Sequence, residues 1–490
     1  MTIPAGQVEA AGLLRRLAGR DAIETHISAV FVGADTVWKL RKAVRLAFLD
    51  FTALEQRHRM ALRELALNTP HAPGLYRDVV AVVRLADGSV ALDEDGEVLD
   101  WVLRMARVPA ADFLDRMAEE GQLTPDLLDR TADIVAAMHA SLPPVRRPQA
   151  TAMQAIAVGN AEAARAAGMD QAAVATWLGR MQAVLAALGG WLERRSAAGM
   201  VRRAHGDLHL GNLCLWRGGP VPFDALEFSE DLGTIDLGYD LAFLLMDLEM
   251  RAGRAAANRV MNRYLACTGD WDLVAGLPAF LSMRAMIRAH VAASSGRDED
   301  CRRYLARALD DLAPRPALAV AIGGLPGTGK STLARSLAPE LGRAPGAVVL
   351  RSDEIRKRQQ GVAIAQRLPA AGYSAEASSA VFDEINRAAG AIQAAGQAVI
   401  ADASFLDPAT RRDFSAAVGG RFLGLWLDAP VAVLEARIRA RHGDASDADV
   451  AVLHRLIAAG GGAGDWVAID ATEAPAAVDA ARASLRNVAW

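Results

Sequence analysis

The stretch "GLPGTGKS", residues 324–331, decides the fold of the C-terminal part of this 490-residue chain. It fits the pattern G-x-x-x-x-G-K-[ST], in which backbone N–H groups of a glycine-rich loop and a helix N-terminus surround phosphate groups. The apolar run "ALAVAIG" (317–323) precedes it, and the helical pattern "STLARSLAPEL" (331–341) follows. A loop of this kind between a buried strand and a helix predicts nucleotide binding.

The loop residues have separate predicted roles. The Lys330 ammonium is expected to contact the β- and γ-phosphates, and the Ser331 hydroxyl is expected to hold Mg²⁺. The predicted nucleotide-binding set comprises Gly324, Gly327, Thr328, Gly329, Lys330, Ser331 and Thr332.

Short apolar runs alternate with amphipathic stretches beyond this loop. The runs 347–353, 398–404, 421–428 and 466–470 follow 317–323, with helical patterns between them. This βαβ alternation predicts a doubly wound parallel sheet. The two prolines in "LAPRP" (312–316) place a linker at 313–315, so the predicted domains are 1–312 and 313–490.

The strand that follows the P-loop helix ends in "RSDEIRK" (351–357). The run at 398–404 places Ala403 after Asp402, so the catalytic glutamate of a motor ATPase is missing there. The region 317–485 resembles small P-loop kinases such as gluconate kinase, polynucleotide 5′-kinases and zeta-toxin sugar-nucleotide kinases. That resemblance implies that Asp353 accepts the proton of the acceptor hydroxyl and that Arg356 helps to hold the substrate. A helix N-cap is the alternative role for Asp353.

The segment "LEARIRARHGDASDADVAVL" (434–453) resembles the lid of the same kinases. Arg437 and Arg441 are four residues apart, which puts them one helical turn apart if the helix continues. Both are expected to compensate the charge of the transferring phosphoryl group. A solvated arginine face is the alternative for either residue.

A second constellation, "HGDLHLGN" (205–212), fits H-x-D-x-x-x-x-N. In protein kinases the Asp of this loop accepts the hydroxyl proton and the Asn binds Mg²⁺, which assigns these roles to Asp207 and Asn212. A short strand then ends in "FDALEF" (223–228), so Asp224 is the predicted second metal ligand. The motif HGDxHxxN with the following Phe-Asp resembles the aminoglycoside phosphotransferase family. This resemblance implies a protein-kinase-like fold for the first 312 residues.

The chain has only four lysines, and two of them, Lys39 and Lys42, lie in "TVWKLRKAV" (36–44). Lys39 is predicted to lie on a strand and to direct its side chain at bound phosphates. Glu64 of the next helix is its predicted ion-pair partner. With these parts, the whole chain resembles fusions of an aminoglycoside phosphotransferase module with a P-loop kinase. Two departures concern the N-terminal site: no G-x-G-x-x-G precedes Lys39, and Gly233-Thr234 stands where a basic residue is expected. A kinase-like scaffold with little or no nucleotide binding is the alternative for this half.

Composition limits the kind of protein. The formal net charge is −4 and 52% of residues are hydrophobic, so no overall positive charge draws the chain to nucleic acid or anionic membranes. The three cysteines have no metal-ligand spacing, and charges interrupt the apolar runs, so a cytoplasmic protein with reduced thiols is expected.

The sequence thus predicts an α/β multidomain kinase that depends on ATP and Mg²⁺. Its expected acceptor is a hydroxyl of a small molecule of the sugar, nucleoside or nucleotide-sugar type. The N-terminal site is expected to be a second phosphotransferase site or a regulatory nucleotide sensor. A nucleic-acid 5′-hydroxyl kinase and an ATP-operated, toxin-like switch are the alternatives, and the sequence predicts no oligomeric state.

Overall fold

The protein is described here by a computed structural model of the full chain. The structure describes residues 3–46, 49–441 and 445–489. The chain folds into two compact units that do not follow chain order. The first, the catalytic-loop unit, comprises the described residues up to Leu123 together with Ala137–Arg147 and Arg194–Leu241. The second, the P-loop unit, comprises Thr124–Ala136, Pro148–Glu193 and the described residues from Ala242 onward.

An antiparallel sheet and two helices dominate the first hundred residues. The sheet has the order β1-β2-β3-β8-β6-β7. The elements are α1 (Val8–Ala18), β1 (Ile23–Glu24), β2 (Ser28–Val32), β3 (Thr36–Arg41), β4 (Arg45–Leu46), β5 (Leu49–Asp50), α2 (Leu54–Asn68), β6 (Tyr76–Arg84), β7 (Val90–Leu92) and β8 (Glu97–Ala106).

The predicted start of helix α2 is only partly right. The sequence pattern indicates a capping box of Thr52 and Glu55, but the N-cap residue is Ala53 and no side chain bonds to the first turn. The Thr52 hydroxyl instead donates to a carboxylate oxygen of Asp50. Asp50 also accepts the Thr52 N–H, which is the group that the Glu55 carboxylate would accept in a capping box, and the helix begins one residue later than the box requires.

Helices and short hairpins fill the middle of the chain. They are α3 (Leu114–Glu119), α4 (Pro125–Ser141), α5 (Gln149–Ala166), α6 (Gln171–Ala197), β9 (Val201–Arg203), β10 (Leu213–Trp216), β11 (Gly219–Pro222), α7 (Glu230–Gly233), β12 (Thr234–Asp236), α8 (Leu237–Ala252), α9 (Arg254–Thr268), α10 (Leu277–Ser294) and α11 (Asp298–Asp311). Among the described residues, α6 alone has the length and hydropathy of a membrane span, by length and composition only. Its Trp177, Met181 and Leu185 are buried in the protein.

A five-stranded parallel sheet organises the C-terminal residues, with the order β14-β15-β13-β16-β17. The elements are β13 (Leu318–Gly324), α12 (Lys330–Leu337), β14 (Val348–Arg351), α13 (Ser352–Gln359), α14 (Ala375–Ala394), β15 (Val399–Asp402), α15 (Pro408–Val418), β16 (Arg421–Asp428), α16 (Val431–Ala440), α17 (Val450–Ala459), β17 (Val467–Asp470) and α18 (Ala474–Ala489). The central strand β13 is buried along its whole length. The predicted α/β fold, kinase-like and then P-loop with a parallel sheet, is confirmed; the domain boundary at 312/313 stays a prediction.

Candidate active sites

The P-loop joins the buried strand β13 to helix α12. Gly327 and Gly329 have φ angles of 85° and 89°, a region that favours glycine. A side chain on Gly327 would place its Cβ 2.8 Å from the carbonyl oxygen of Leu434. Around Gly329, by contrast, no atom of a described residue beyond its chain neighbours lies within 4 Å of such a Cβ. The loop therefore needs glycine for its path and leaves open space where phosphate groups are predicted.

The two functional side chains of the loop lie beside a strand-end carboxylate. Lys330 Nζ donates to the carbonyl oxygens of Gly324 and Leu325 at 3.0 and 2.9 Å. Ser331 Oγ donates to Asp402 Oδ2 at 2.6 Å. Because β15 pairs with β13, the carboxyl end of β15 brings Asp402 to the loop. The sequence prediction did not assign Asp402 to the metal site, because no local pattern places β15 beside β13.

A hydroxyl and a carboxylate oxygen are ligands that Mg²⁺ prefers, so Ser331 and Asp402 fit this ion. Among the described residues, no three His, Cys, Asp or Glu side chains come together as a metal cage. A divalent cation held by Ser331 and Asp402 would keep coordination positions for phosphate and water, the remaining ligands that Mg²⁺ usually has. Burial lowers the pKa of Lys330, although the carboxylates of Asp402 and Asp353 oppose this shift.

Asp353 is the second residue of α13, directly after strand β14. The N-cap position of that helix is Arg351, and the helix has no side-chain cap, so the alternative role of Asp353 as an N-cap is wrong. Burial raises the pKa of Asp353 above the ordinary value of an aspartate, while Arg351 and a hydrogen bond from Ser446 oppose the rise. A buried carboxylate with a raised pKa at a strand's carboxyl end is suited to accept a proton.

One cavity of about 1250 Å³ connects these groups. The predicted site residues that line it are Gly327, Thr328, Gly329, Lys330, Ser331, Thr332, Asp353, Arg356, Arg437 and Arg441. Gly324 ends strand β13 next to this space, and a Cβ there would lie 2.5 Å from the carbonyl oxygen of Leu427.

Arg356 is buried at the wall of the cavity. Its Nη1 donates to the carbonyl oxygen of Gly372 at 2.9 Å, and its guanidinium lies 5.0 Å from the ring centre of Tyr373. The Nε of the same group is buried and has no hydrogen-bond partner within residues 3–46, 49–441 and 445–489. Arg356 thus has a donor left over at the place where the resemblance puts the acceptor.

The two lid arginines do not form the predicted pair on one helix. Helix α16 ends at Ala440, so Arg441 lies just beyond it. Arg437 donates to the carbonyl oxygens of Ala471 and Thr472, both at 2.9 Å, and Arg441 donates to that of Ala448. Both line the cavity, but in this structure their guanidinium groups hold backbone carbonyls.

The second constellation lies in the catalytic-loop unit. Asn212 Nδ2 donates to Asp207 Oδ2 at 3.0 Å, and His205 Nε2 lies 2.9 Å from the carbonyl oxygen of Phe223. The buried carboxylate of Asp240 accepts the backbone N–H groups of His205 and Gly206 at 3.1 and 2.8 Å. Asp240 therefore fixes the start of the H-x-D-x-x-x-x-N loop.

Lys39, Glu64 and Asp224 come together across this loop. Lys39 Nζ lies 2.9 Å from Glu64 Oε1 and 2.6 Å from Asp224 Oδ1. Burial opposes charging of Lys39, but the carboxylates of Asp224 and Glu64 outweigh it and raise the pKa of the lysine. Lys42 is directed elsewhere, to the carbonyl oxygen of Thr25 and to the Glu24 carboxylate.

Two members of this network were missed at the level of sequence. Arg41 is buried and donates to Glu64 Oε2 at 2.5 Å and to Glu227 Oε1 at 2.7 Å. Arg41 follows Lys39 by two residues on β3, so both side chains lie on the same face of the strand. That spacing was the available signal. Glu227 offered none, because the segment after Asp224 has no regular period.

The two departures noted in the sequence also have a structural description. Gly33 occupies the β2–β3 turn, where its N–H donates to the carbonyl oxygen of Thr36. At Gly233 a Cβ would collide with the guanidinium of Arg203, which comes from β9, the partner strand of β12. Arg203 thus brings positive charge to the place where Gly233-Thr234 lacks it.

Comparison with known proteins agrees with this geometry. Residues 23–277 match the model of the phosphotransferase enzyme family, and residues 320–460 match that of an AAA domain. Uncharacterized proteins of Mycobacterium tuberculosis and Mycobacterium bovis are 29% identical over 459 residues, which is 89% of this chain and of each relative.

Solved structures resemble each part of the chain. A choline kinase from Cryptosporidium parvum Iowa II covers 62% of this chain and 94% of its own, with 10% identity and a TM-score of 0.41. A gluconokinase from Sinorhizobium meliloti 1021 covers 36% of this chain and 95% of its own, with 20% identity and a TM-score of 0.28. Because one family model spans more than half of the chain, and the Lys39 and Asp207 clusters lie inside it, the protein belongs to the phosphotransferase enzyme family, and residues 320–460 of the same chain match the AAA domain.

Proposed function

We propose that the protein transfers the γ-phosphoryl group of ATP, with Mg²⁺, to a hydroxyl of a small molecule, and that the P-loop site carries most of this activity. The proposal depends on one observation above all: Lys330, Ser331 and Asp353 line the same cavity. The cavity is large enough for a nucleotide and a sugar-sized or nucleoside-sized acceptor. We place this activity in the cytoplasm, where the three free thiols would stay reduced.

Each residue of the P-loop site has a defined task in this proposal. The loop amides and Lys330 bind the phosphates, and Ser331 with Asp402 would hold Mg²⁺. When bound, the ion neutralises negative charge on the phosphate oxygens. Asp353 holds the acceptor hydroxyl by accepting its hydrogen bond. It takes the proton as the new O–P bond forms and the bond from the γ-phosphorus to the bridging oxygen breaks, which releases ADP. Arg356 orients the acceptor through its spare donor.

The catalytic-loop unit is proposed to act as a second phosphotransferase site or as a nucleotide sensor. Asp207 would accept a hydroxyl proton there, while Asn212 and Asp224 carry oxygens suited to Mg²⁺. A direct ion pair between Lys39 and Asp224 closes the position where phosphate and metal would bind. That ion pair is the reason why we propose a secondary role for this site and the main activity for the P-loop site.

The test compares Asp353→Ala and Asp207→Ala in the full chain. Transfer from γ-labelled ATP is followed into a panel of sugars, nucleosides, nucleotide sugars, aminoglycosides and a 5′-hydroxyl oligonucleotide. Loss of a general base lowers the rate by about 10²–10⁴-fold, so Asp353→Ala should lose the main product by that factor. The KM for ATP should change little, because Asp353 does not belong to the phosphate loop.

Asp413→Ala, which removes an exposed carboxylate of helix α15, is the matched control and should behave like the wild type. Unchanged transfer by Asp353→Ala would contradict the assigned base. Labelling of the oligonucleotide alone would favour the 5′-hydroxyl kinase. If the wild type labels no acceptor and only hydrolyses ATP slowly, the hypothesis of an ATP-operated switch replaces that of a kinase.

A further inference from the structure

Helix α9 lies within the residues matched by the phosphotransferase family model. One face of it nevertheless contacts strand β14 of the parallel sheet and the residues just before that strand. Arg254, Asn258, Asn262 and Ala266 follow one another at a spacing of four residues. Side chains at this spacing form one stripe along a helix. All contacts described below lie within the P-loop unit.

The middle of the stripe pairs with the edge of the parallel sheet. Asn262 Oδ1 accepts the N–H of Val349 at 2.7 Å, and its Nδ2 donates to the carbonyl oxygen of Ala347 at 3.2 Å. Asn258 Nδ2 donates to the same carbonyl at 3.0 Å. Strand β14 is the outermost strand on this side, so its outward N–H and C=O groups have no neighbouring strand. One amide side chain therefore supplies the acceptor and donor that a further strand would supply.

The two ends of the stripe hold the flanking segments. Arg254 Nη2 donates to the carbonyl oxygens of Gly342 and Arg343 at 2.8 and 3.0 Å, before β14. At the other end, Arg358 of helix α13 donates to the carbonyl oxygen of Ala266 at 3.3 Å. Ala266 lies in the last turn of α9, where the free carbonyl groups favour a cation.

The segment held in this way carries the acceptor side of the proposed active site. Asp353 and Arg356 lie between Val349, which Asn262 holds, and Arg358, which contacts Ala266. The phosphate loop follows β13 instead, two strands further into the sheet. Asn262 thus contacts the strand that leads to Asp353, which is not the strand that leads to the phosphate loop.

We propose that Asn262 is a positioning residue for the acceptor base Asp353, so that the P-loop kinase site depends on a helix of the phosphotransferase segment. The inference rests on the proposed function of Asp353. It predicts that loss of the Asn262 amide displaces β14 and Asp353 without changing the phosphate loop. The measurable result is a lower kcat for transfer at an unchanged KM for ATP.

Three full-length variants test the proposal. Asn262→Ala removes the amide, Asn262→Leu keeps similar volume without hydrogen bonds, and Arg263→Ala is the control. Arg263 is the next residue of α9 and pairs with Asp133 of α4 at 2.6 Å, so its loss disturbs the helix without touching β14. A misplacement of about 1 Å costs up to roughly 10²-fold in rate, so both Asn262 variants should lose about 10–100-fold in kcat.

Hydrogen exchange of the peptide 347–353 gives a second readout that needs no acceptor. We expect faster exchange in both Asn262 variants and wild-type exchange in the Arg263 variant. Wild-type kcat and exchange in Asn262→Ala would overturn the proposal, and so would full rescue by Asn262→Leu or an equal loss in Arg263→Ala. If the wild type labels no acceptor, the proposed function fails, whereas the exchange data still decide whether Asn262 holds the strand.

Discussion

Removing the Glu64 carboxylate should loosen strand β3 and the lysine that it carries. Glu64 is fully buried on helix α2 and accepts from Lys39 and Arg41 at once. In Glu64→Ala, Lys39 keeps Asp224, and the buried guanidinium of Arg41 keeps only Glu227. Among the described residues, Arg41 Nε and Nη1 are buried without an acceptor, so no described carboxylate other than Glu227 replaces Glu64.

The free-energy cost of Glu64→Ala follows from the number of carboxylates that Lys39 and Arg41 keep. Breaking a buried ion pair by removing one partner costs about 3–5 kcal/mol, because a charge is left buried and uncompensated. Each cation of this cluster keeps one carboxylate, which places Glu64→Ala at the lower end, about 3 kcal/mol. Because about 1.4 kcal/mol corresponds to a factor of ten, the opening equilibrium of β3 should rise by roughly 10²-fold.

The assay is hydrogen exchange of the β3 peptide, residues 36–41, because a chain of two compact units is not expected to unfold in one step. Glu55→Ala, which removes an exposed carboxylate from the first turn of the same helix, is the control and should stay close to the wild type. Protection of β3 within twofold of the wild type in Glu64→Ala would refute the reasoning. An equal loss in Glu55→Ala would assign the effect to the helix rather than to the ion pair.

Three other outcomes follow from the geometry. Burial raises the pKa of Asp353, so the deprotonated base is lost as pH falls through a value above the ordinary 3.9, and the acid limb of a kcat–pH profile should lie there. The free energy of unfolding changes in the opposite direction. A carboxyl group whose pKa is raised in the folded state makes the protein less stable as pH rises through that pKa. Gly327→Ala needs a positive φ and meets a backbone carbonyl, so titration with a fluorescent ATP analogue should show weakened binding, and unchanged binding would contradict the loop geometry. Asp240→Ala leaves two buried N–H groups unpaired at about 1–3 kcal/mol each, so chemical denaturation should detect a less stable catalytic-loop unit, and wild-type stability would contradict the role of this carboxylate.

Local sequence rules were enough for the parts of the molecule that depend on short segments. The P-loop, its flanking strand and helix, and the five parallel strands follow from glycine spacing and apolar runs, because a buried parallel strand has little choice of composition. The pairing of Lys39 with Glu64 could be expected, since a glutamate on an apolar helix face needs a cation.

Contacts between distant segments were not predictable in the same way. Asp402 joins Ser331 only because β15 lies beside β13 in the sheet order, and no local pattern fixes that order. The capping box was wrong because Ala53 is the N-cap residue and Asp50 accepts the Thr52 N–H that Glu55 would need. Arg437 reaches the carbonyl groups at 471–472, more than thirty residues away, a contact that the lid resemblance does not contain.

The two lysines that define the candidate sites have opposite electrostatic surroundings. Lys330 donates to backbone carbonyls and burial lowers its pKa, so a phosphate group would supply the full negative charge that it lacks. Lys39 already has two carboxylates, which raise its pKa despite burial, so a phosphate there must displace an existing ion pair. The same ligand therefore gains more at Lys330 than at Lys39. This difference, rather than the completeness of either motif, is the physical reason for our proposal that the P-loop site carries the main activity and the catalytic-loop unit a secondary one.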